Sequence, residues 1–231
     1  MKSVLITGAN RGIGLEHVRR YAERGAKVWA TARTASETDD LSTLVRQRQG
    51  QVELLAYDAE DEDPAGAIKR AVGDQPIDLL FANAGAMGGR GQSFGNIDTE
   101  GVLDLIRVNA LAPLELAQAL ADNVARSERK LMAFQTSLMG SIGDNGSGGA
   151  YAYRLSKAAL NMVGKNVAND LRGRGVTAVL LHPGWVRTRM GGAGARISVE
   201  ECVENQQRLL DRLTTADSGK FFNYDGRELP W

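Results

Sequence analysis

The most constraining feature of the sequence is a glycine-rich turn near its start. It lies between Ser3–Thr7, a run rich in strand-forming residues, and Leu15–Arg24, which has apolar residues at helical spacing. The turn itself reads Gly8-Ala9-Asn10-Arg11-Gly12-Ile13-Gly14. A strand, a glycine turn and a helix in this order are typical of a site that binds the pyrophosphate of a dinucleotide at a helix N-terminus. The alternative is a glycine-rich turn that binds no ligand.

Strands and helices alternate along the rest of the chain. The other strand-forming runs are Lys27–Ala32, Gln51–Tyr57, Leu79–Asn83, Lys130–Ser137, Thr177–His182 and Lys220–Tyr224. The longest helical stretches between them are Thr99–Ala125 and Ala150–Arg172. This alternation predicts an α/β fold, a Rossmann-type doubly wound parallel sheet of about seven strands flanked by helices. No repeat or linker is visible, so we expect residues 1–231 to form a single domain.

Composition excludes several classes of function. The chain has 28 Lys and Arg residues and 28 Asp and Glu residues, so no overall field favours nucleic acid or an anionic membrane. No apolar run reaches the roughly 18 residues of a membrane span, and Met1 leads directly into a strand without a signal peptide. Cys202 is the only cysteine, which predicts a reducing compartment, the cytoplasm. No spacing of His, Cys and Asp suggests a metal site.

A tyrosine and a lysine stand one helical turn apart at Tyr153 and Lys157. A phenol has an ordinary pKa of about 10, and a neighbouring ammonium lowers it. The pair is therefore a candidate acid/base device for protonating or deprotonating an oxygen. Tyr151 has no such partner, because Leu155 stands four residues after it. The alternative is an ordinary helix surface.

Taken with further motifs, these features resemble the short-chain dehydrogenase/reductase family. The further motifs are Asn83-Ala84-Gly85 after a strand, Asn109 in the next helical stretch, Ser137-Leu138-Met139-Gly140, and Pro183-Gly184-Trp185-Val186-Arg187-Thr188. The glycine turn and the ending Phe221–Trp231 are similar to the C-factor and sniffer-type carbonyl reductase branch. The resemblance covers nearly the whole chain, from residue 3 to about residue 225.

The resemblance implies a catalytic set. Tyr153 exchanges a proton with the substrate oxygen, Lys157 binds the nicotinamide ribose and lowers the pKa of Tyr153, and Ser137 donates a hydrogen bond to the substrate oxygen. Sixteen residues separate Ser137 from Tyr153, more than the family pattern leads us to expect. An extra loop at Gly143–Gly149 explains the difference, and it leaves Ser141 and Ser147 as alternatives to Ser137.

Asn109 has a physical argument of its own. Pro113 has no N–H, so the carbonyl of Asn109 loses its helical partner and can hold a water at a kink. In the family such a water continues a proton path from the lysine. The alternative is a plain proline kink with a solvated carbonyl.

The resemblance also implies a cofactor site. Its residues are Gly8, Asn10, Arg11, Gly12, Ile13, Gly14, Asn83, Ala84, Gly85, Tyr153, Lys157, Pro183, Gly184, Val186 and Thr188. Arg33 follows the second strand, where an NAD site usually has an acid, and a guanidinium there suits the 2′-phosphate of NADP. Arg11 can approach the same phosphate. NAD(H) stays possible, because Glu37, Asp39 and Asp40 follow closely. Asp58 either contacts the adenine or caps a helix.

The sequence thus predicts an NADP(H)-dependent oxidoreductase that interconverts a small-molecule carbonyl and an alcohol. One alternative is a signalling or regulatory protein of C-factor type that binds the dinucleotide without needing turnover, and another is a redox-sensing module. The two long helices carry apolar stripes, including Leu155, Ala159, Met162 and Val163 on the second. We expect these helices to pair across a two-fold axis in a homodimer or homotetramer.

Overall fold

The computed structural model of the chain describes residues 1–34, 40–89 and 92–231. Seven parallel strands form one sheet in the order β3-β2-β1-β4-β5-β6-β7. The strands are β1 Ser3–Ile6, β2 Lys27–Ala32, β3 Val52–Ala56, β4 Leu79–Ala82, β5 Leu131–Gln135, β6 Thr177–His182 and β7 Phe221–Asn223. The predicted doubly wound sheet is confirmed. β2 and β6 have the predicted bounds, and the other five strands are shorter than predicted by one or two residues at one or both ends.

Helices connect the strands and cover both faces of the sheet. They are α1 Gly12–Glu23, α2 Asp40–Gln47, α3 Pro64–Val72, α4 Thr99–Ile106, α5 Ala112–Arg126, α6 Tyr151–Asp170 and α7 Val199–Arg212. Short 3₁₀ turns lie at Leu138–Gly140, Arg172–Arg174 and Thr215–Asp217, and a π-helical turn lies at Arg107–Leu111. No helix in the described part of the chain is long and apolar enough to cross a membrane.

Alternate strand residues face the two helical layers, as the two-residue period of a buried parallel strand requires. Leu80, Met132 and Leu180 pack towards α3, α5 and α6. Phe81 and Val179 pack towards α1 and α7 on the other face. This double cover fixes the register of the sheet, so the loops after the strands meet at one edge in a defined arrangement.

The strand order reverses beside β1, which pairs with β2 on one side and β4 on the other. In open α/β sheets a ligand crevice forms at such a reversal, outside the carboxyl ends of the strands. The glycine turn follows β1, and Asn83-Ala84-Gly85 follows β4, so both border this crevice. A small third cluster of Val102, Leu105, Ala152 and Tyr153 packs α4 against α6 at the same edge.

Candidate active site

The glycine turn is shaped by close contacts that leave no room for side chains. Gly8 has a φ of +63°, and a Cβ there would lie 2.8 Å from the Cα of Ala84. A Cβ on Gly14 would collide with the carbonyl oxygen of Gly8. No side chain caps the N-terminus of α1, and its first turn has no acidic residue. The amides and the positive end of the helix dipole therefore stay available to an anion, which fits the pyrophosphate of a dinucleotide.

Asn83 and Thr7 brace this turn from the end of β4. The Thr7 hydroxyl accepts hydrogen bonds from the backbone amides of Asn83 (3.0 Å) and Ala84 (2.9 Å). The Asn83 side-chain amide donates to the carbonyls of Thr7 (2.9 Å) and Gly8 (3.2 Å). Its donors are thus committed to the turn, and its contribution to ligand binding is to hold the turn in shape. Thr7 was not among the predicted site residues, although its place directly before the first glycine is a usable signal.

Arg33 and Asp58 follow the ends of the neighbouring strands β2 and β3. The amide of Tyr57 donates to the carbonyl of Ala32 (3.1 Å), which keeps the ends of β2 and β3 together. Arg33 and Arg11 are both exposed. Neither guanidinium forms an ion pair with any residue in the described ranges, so both charges are free for an anionic ligand. Glu37 and Asp39, two of the acids that keep NAD possible, lie outside the described residues, and Asp40 begins α2.

The helix-cap alternative for Asp58 is wrong. Its carboxylate accepts from the amide of Glu60 (3.2 Å) and closes a local turn. The N-cap of α3 is Asp63, which accepts from Gly66 (3.0 Å), with Pro64 in the first turn. Asp63, the last residue of the acidic run Glu60–Asp63, therefore caps α3. Asp58 lies before this run, two residues after the end of β3.

Tyr153, Lys157 and Ser137 converge beyond the end of β5. Tyr153 and Lys157 lie one turn apart on α6, and Ser137 begins the 3₁₀ turn after β5. The three residues are 9%, 4% and 8% exposed. The Ser137 hydroxyl lies close enough to the Tyr153 phenol to lower its pKa. The Lys157 ammonium lies 5.9 Å from the centre of the Tyr153 ring and donates to the carbonyl of Gln135 (2.9 Å).

Burial dominates the pKa values of this pair. It raises the pKa of Tyr153 above its ordinary value, while the hydrogen bond from Ser137 lowers it. It lowers the pKa of Lys157 from 10.5 to about 8. The predicted net lowering of the Tyr153 pKa by Lys157 is therefore wrong for the protein without ligand. Desolvation penalises each charged form more than the neighbouring groups favour it.

The two alternative serines are engaged elsewhere. The Ser141 hydroxyl is buried and accepts from the amide of Asp144 (3.0 Å). Ser147 is exposed, and its hydroxyl accepts from the guanidinium of Arg154 (2.9 Å). Among the three serines, Ser137 is the one that affects the pKa of Tyr153. The structure therefore brings Ser137, rather than Ser141 or Ser147, next to Tyr153.

Asn109 lies in the π-helical turn, where a kink was predicted. Pro113 cannot donate to the carbonyl of Asn109, and the backbone widens into a π turn that joins α4 to α5. The side chain, which sequence reasoning did not consider, is fully buried. Its oxygen accepts from the amide of Ala86 (2.8 Å), and its NH₂ donates to the Ala86 carbonyl (2.8 Å) and the Ser156 hydroxyl (2.9 Å). Asn109 thus ties the loop after β4 to α6, beside Lys157.

The segment after β6 closes onto the glycine turn. A Cβ on Gly12 would lie 3.3 Å from the methyl carbon of Thr188, so these two segments are in contact. Val186 is buried and lies in a short parallel pairing with Ile197, in which the amide of Arg187 donates to the Ile197 carbonyl (2.9 Å). Pro183 and Gly184 lead into this segment, with Gly184 at a φ of +78°. The glycine turn therefore contacts predicted cofactor residues both after β4 and after β6.

A cleft of about 310 Å³ opens beside Tyr153. Its lining is mostly apolar, with few polar groups besides the phenol. The lining residues are Met87, Gly89, Gln92, Ser93, Met139, Ala150, Ala152 and Tyr153. An apolar cleft with the buried phenol of Tyr153 in its wall can bind an apolar molecule and orient its oxygen towards that phenol.

The remaining candidates have structural surroundings. His17 is fully buried, hydrogen-bonds Gln206 (3.0 Å), and has its pKa lowered by burial to about 4. The Cys202 thiol donates to the carbonyl of Pro183 (3.2 Å) and is also buried. Within the described ranges, no three His, Cys, Asp or Glu side chains are grouped to bind a metal ion.

Comparison with known proteins gives consistent results. A family model described as short chain dehydrogenase matches residues 2–196. The chain is 42% identical over 156 residues to C-signal of Myxococcus xanthus, which covers 68% of this chain and 93% of that protein.

Two solved structures match the whole fold. Carbonyl reductase Sniffer of D. melanogaster superposes with a TM-score of 0.92 at 31% identity, covering 100% of both chains. A carbonyl reductase from Pseudomonas aeruginosa in complex with NADP has a TM-score of 0.86 at 36% identity, again over 100% of both chains. These similarities support a nicotinamide dinucleotide as the ligand of the crevice.

Proposed function

The chain belongs to the short-chain dehydrogenase family and is an oxidoreductase, and from this premise we propose that it interconverts a carbonyl and an alcohol with NADP(H). The resemblance to the C-factor and sniffer-type branch is confirmed. One observation carries the proposal. The hydroxyl of Ser137, the phenol of Tyr153 and the ammonium of Lys157 are buried together beside an apolar cleft and the dinucleotide crevice.

The proposed chemistry assigns a role to each of these groups. The nicotinamide cofactor supplies the hydride when it is bound. In reduction Tyr153 gives its proton to the carbonyl oxygen, and in oxidation it takes the proton from the alcohol. Ser137 donates a hydrogen bond to the same oxygen and stabilises the charge that develops on it. Lys157 binds the nicotinamide ribose and, with the carbonyl of Asn109, returns a proton to Tyr153 through water.

Two arginines support NADP(H) over NAD(H). Arg33 and Arg11 form no ion pair within the described part of the chain, and the charge and planar geometry of a guanidinium suit a phosphate. The NADP bound to the Pseudomonas aeruginosa carbonyl reductase agrees with this preference. We propose that Asp58, two residues after β3, contacts the adenine.

The proposal extends to assembly and location. Large apolar side chains on α4, α6 and the π turn are exposed, namely Leu103, Leu111, Leu155 and Met162. We propose that they form the contact of a homodimer or homotetramer. The lone cysteine supports a reducing compartment such as the cytoplasm. The balanced charge supports a small-molecule substrate rather than nucleic acid or a membrane.

Turnover of a panel of aldehydes and ketones, with NADPH and NADH in parallel, tests the function. Tyr153→Phe keeps the ring and removes the proton, so the rate should fall by about 10²–10⁴-fold with cofactor affinity nearly unchanged. Tyr151→Phe is the matched control on the same helix and should change the rate less than about twofold, because Tyr151 lies outside the catalytic set. If Tyr153→Phe kept more than half of the activity, Tyr153 would not be the acid.

The similarity to C-signal favours a second candidate function, a signalling protein that binds the dinucleotide. Under this alternative the wild type would bind NADPH yet reduce no carbonyl in the panel. The buried Ser137, Tyr153 and Lys157 argue against a loss of chemistry, because desolvating three polar side chains costs stability that a binding module has no need to lose.

A further inference from the structure

Arg154, the residue after Tyr153, connects the segments that shape the catalytic site. One nitrogen of its guanidinium donates to the carbonyl of Met139 (3.2 Å), and another donates to the hydroxyl of Ser147 (2.9 Å). Its Nε is buried and has no partner in the described structure. A buried donor without a partner costs stability. We therefore expect the two hydrogen bonds that the Arg154 guanidinium does form to have a role in the site.

The bond to Met139 leads directly to Ser137. The amide of Met139 donates to the Ser137 hydroxyl oxygen (3.2 Å), while its carbonyl is held by Arg154. Because the Met139 amide occupies an acceptor site on that oxygen, the hydroxyl proton is directed elsewhere, towards the Tyr153 phenol. A chain of contacts thus runs from Arg154 through Met139 and Ser137 to Tyr153, the residue that precedes Arg154.

The 3₁₀ turn that carries Ser137 is held by hydrogen bonds and by packing on α6. Within it, Gly140 donates to the Ser137 carbonyl (2.9 Å), and Asn161 on α6 donates to the Gly140 carbonyl (3.2 Å). These bonds hold the end of the turn, while its middle residue, Met139, packs near Ala152 and Tyr153 and accepts from Arg154. Beyond the turn, the chain enters the exposed, glycine-rich stretch 142–149. Short 3₁₀ turns have weak internal bonds, so a side chain from a neighbouring helix decides their position.

We propose that Arg154 is a positioning residue that holds Ser137 in register with Tyr153. The inference rests on the proposed function, because it gives Ser137 its role towards the substrate oxygen. The second hydrogen bond of Arg154, to Ser147, anchors the extra loop between Ser137 and Tyr153. It can be removed without removing the bond to Met139. The chain therefore offers a matched control, since Ser147→Ala removes one bond of Arg154 and leaves the other.

The experiment compares Arg154→Met, Arg154→Lys and Ser147→Ala in the full chain, each also combined with Ser137→Ala. Arg154→Met should lower kcat roughly tenfold with the Kd for NADPH unchanged, because misplaced catalytic groups slow the chemical step. Arg154→Lys retains a donor for Met139 and should recover most of the rate. Ser147→Ala should change kcat less than about twofold.

Two readouts separate positioning from general stability. If Arg154 acts through Ser137, Arg154→Met should cost nothing further in the Ser137→Ala background. The alkaline limb of the reduction rate should also move to higher pH in Arg154→Met, because the Ser137 hydrogen bond that lowers the Tyr153 pKa is weakened. Fully additive losses, or a wild-type rate and pH profile in Arg154→Met, would overturn the proposal.

A crystal structure of Arg154→Met tests the inference without turnover. We expect Ser137 to move out of hydrogen-bond reach of Tyr153, and an unmoved Ser137 would refute the inference even if the wild type reduced no carbonyl. If Arg154→Met failed to fold, the crystal structure and pH profile of Arg154→Gln would decide the question by the same criteria, because this polar side chain ends where the Nε of arginine lies and lacks the terminal nitrogen that binds Met139. Absence of turnover in the wild type would instead refute the proposed function alone.

Discussion

Removing the Arg33 guanidinium should weaken NADPH and spare NADH. Arg33 lies just after β2, exposed and without an ion-pair partner in the described structure, so Arg33→Ala breaks no internal contact. A hydrogen bond to a charged group contributes on the order of 1.5–3 kcal/mol. Arg33 is exposed to solvent, and water screens its charge, so the lower end of that range applies. With about 1.4 kcal/mol for each factor of ten, the Kd for NADPH should rise by roughly tenfold.

The assay is a fluorescence titration of both reduced cofactors against the wild type and the variant. Arg172→Ala is the matched control, an exposed arginine in the 3₁₀ turn before β6, at the opposite edge of the sheet. It should leave both affinities within about twofold of the wild type. Adding salt should weaken NADPH more in the wild type than in Arg33→Ala. Equal losses for NADPH and NADH would refute the reasoning, and a wild type that prefers NADH would remove the NADP(H) proposal itself.

Two further predictions concern assembly and the buried lysine. Leu155 and Met162 are 49% and 61% exposed on α6, so replacing both with Glu should turn a dimer or tetramer of 24.8 kDa chains into monomers, as measured by light scattering. Ile142→Glu, at another exposed apolar residue, is the control and should leave the assembly intact. A wild type that is monomeric at micromolar concentration would contradict the proposed contact. Burial lowers the Lys157 pKa from 10.5 to about 8. Below pH 8 folding therefore buries a charged ammonium, and the loss of folding stability that this causes disappears as the pH rises towards 10.5. Lys157→Met should therefore lose turnover yet gain melting temperature relative to wild type, most clearly below pH 8, and an advantage that grew with pH would contradict this sign.

Most of the fold could be predicted because each step depends on local pattern. Apolar runs rich in β-branched residues alternate with helical periodicity, and this alternation permits few arrangements other than a parallel sheet. Asn109 shows where local pattern ends. Pro113 was correctly interpreted as breaking one helical bond, but whether the backbone kinks or widens into a π turn depends on how α4 and α5 pack, which the sequence does not display.

The proposed catalytic residues stand out in the sequence by type and spacing, but their partners do not. The contact of Lys157 with the carbonyl of Gln135 involves a main-chain atom, and every residue has one, so no sequence signal marks it. The side-chain bonds of Asn109 and the contact of Arg154 with Met139 join residues that are distant in sequence. Such partners depend on side-chain directions that only the assembled fold defines.

The direction of the two pKa shifts could not be predicted from the sequence for the same reason, and it decides which protonation state each side chain has. Spacing alone suggested that a charged Lys157 would favour the phenolate of Tyr153, whereas burial raises the Tyr153 pKa and lowers that of Lys157. Both shifts favour the neutral forms, because each side chain loses water without gaining a charged partner. At neutral pH the phenol therefore keeps its proton, which is the form that protonates a carbonyl oxygen. The proposed proton donor is thus in the form that the acid role requires. The base role requires a group that stabilises the phenolate, and the Ser137 hydroxyl can do so because it lowers the Tyr153 pKa.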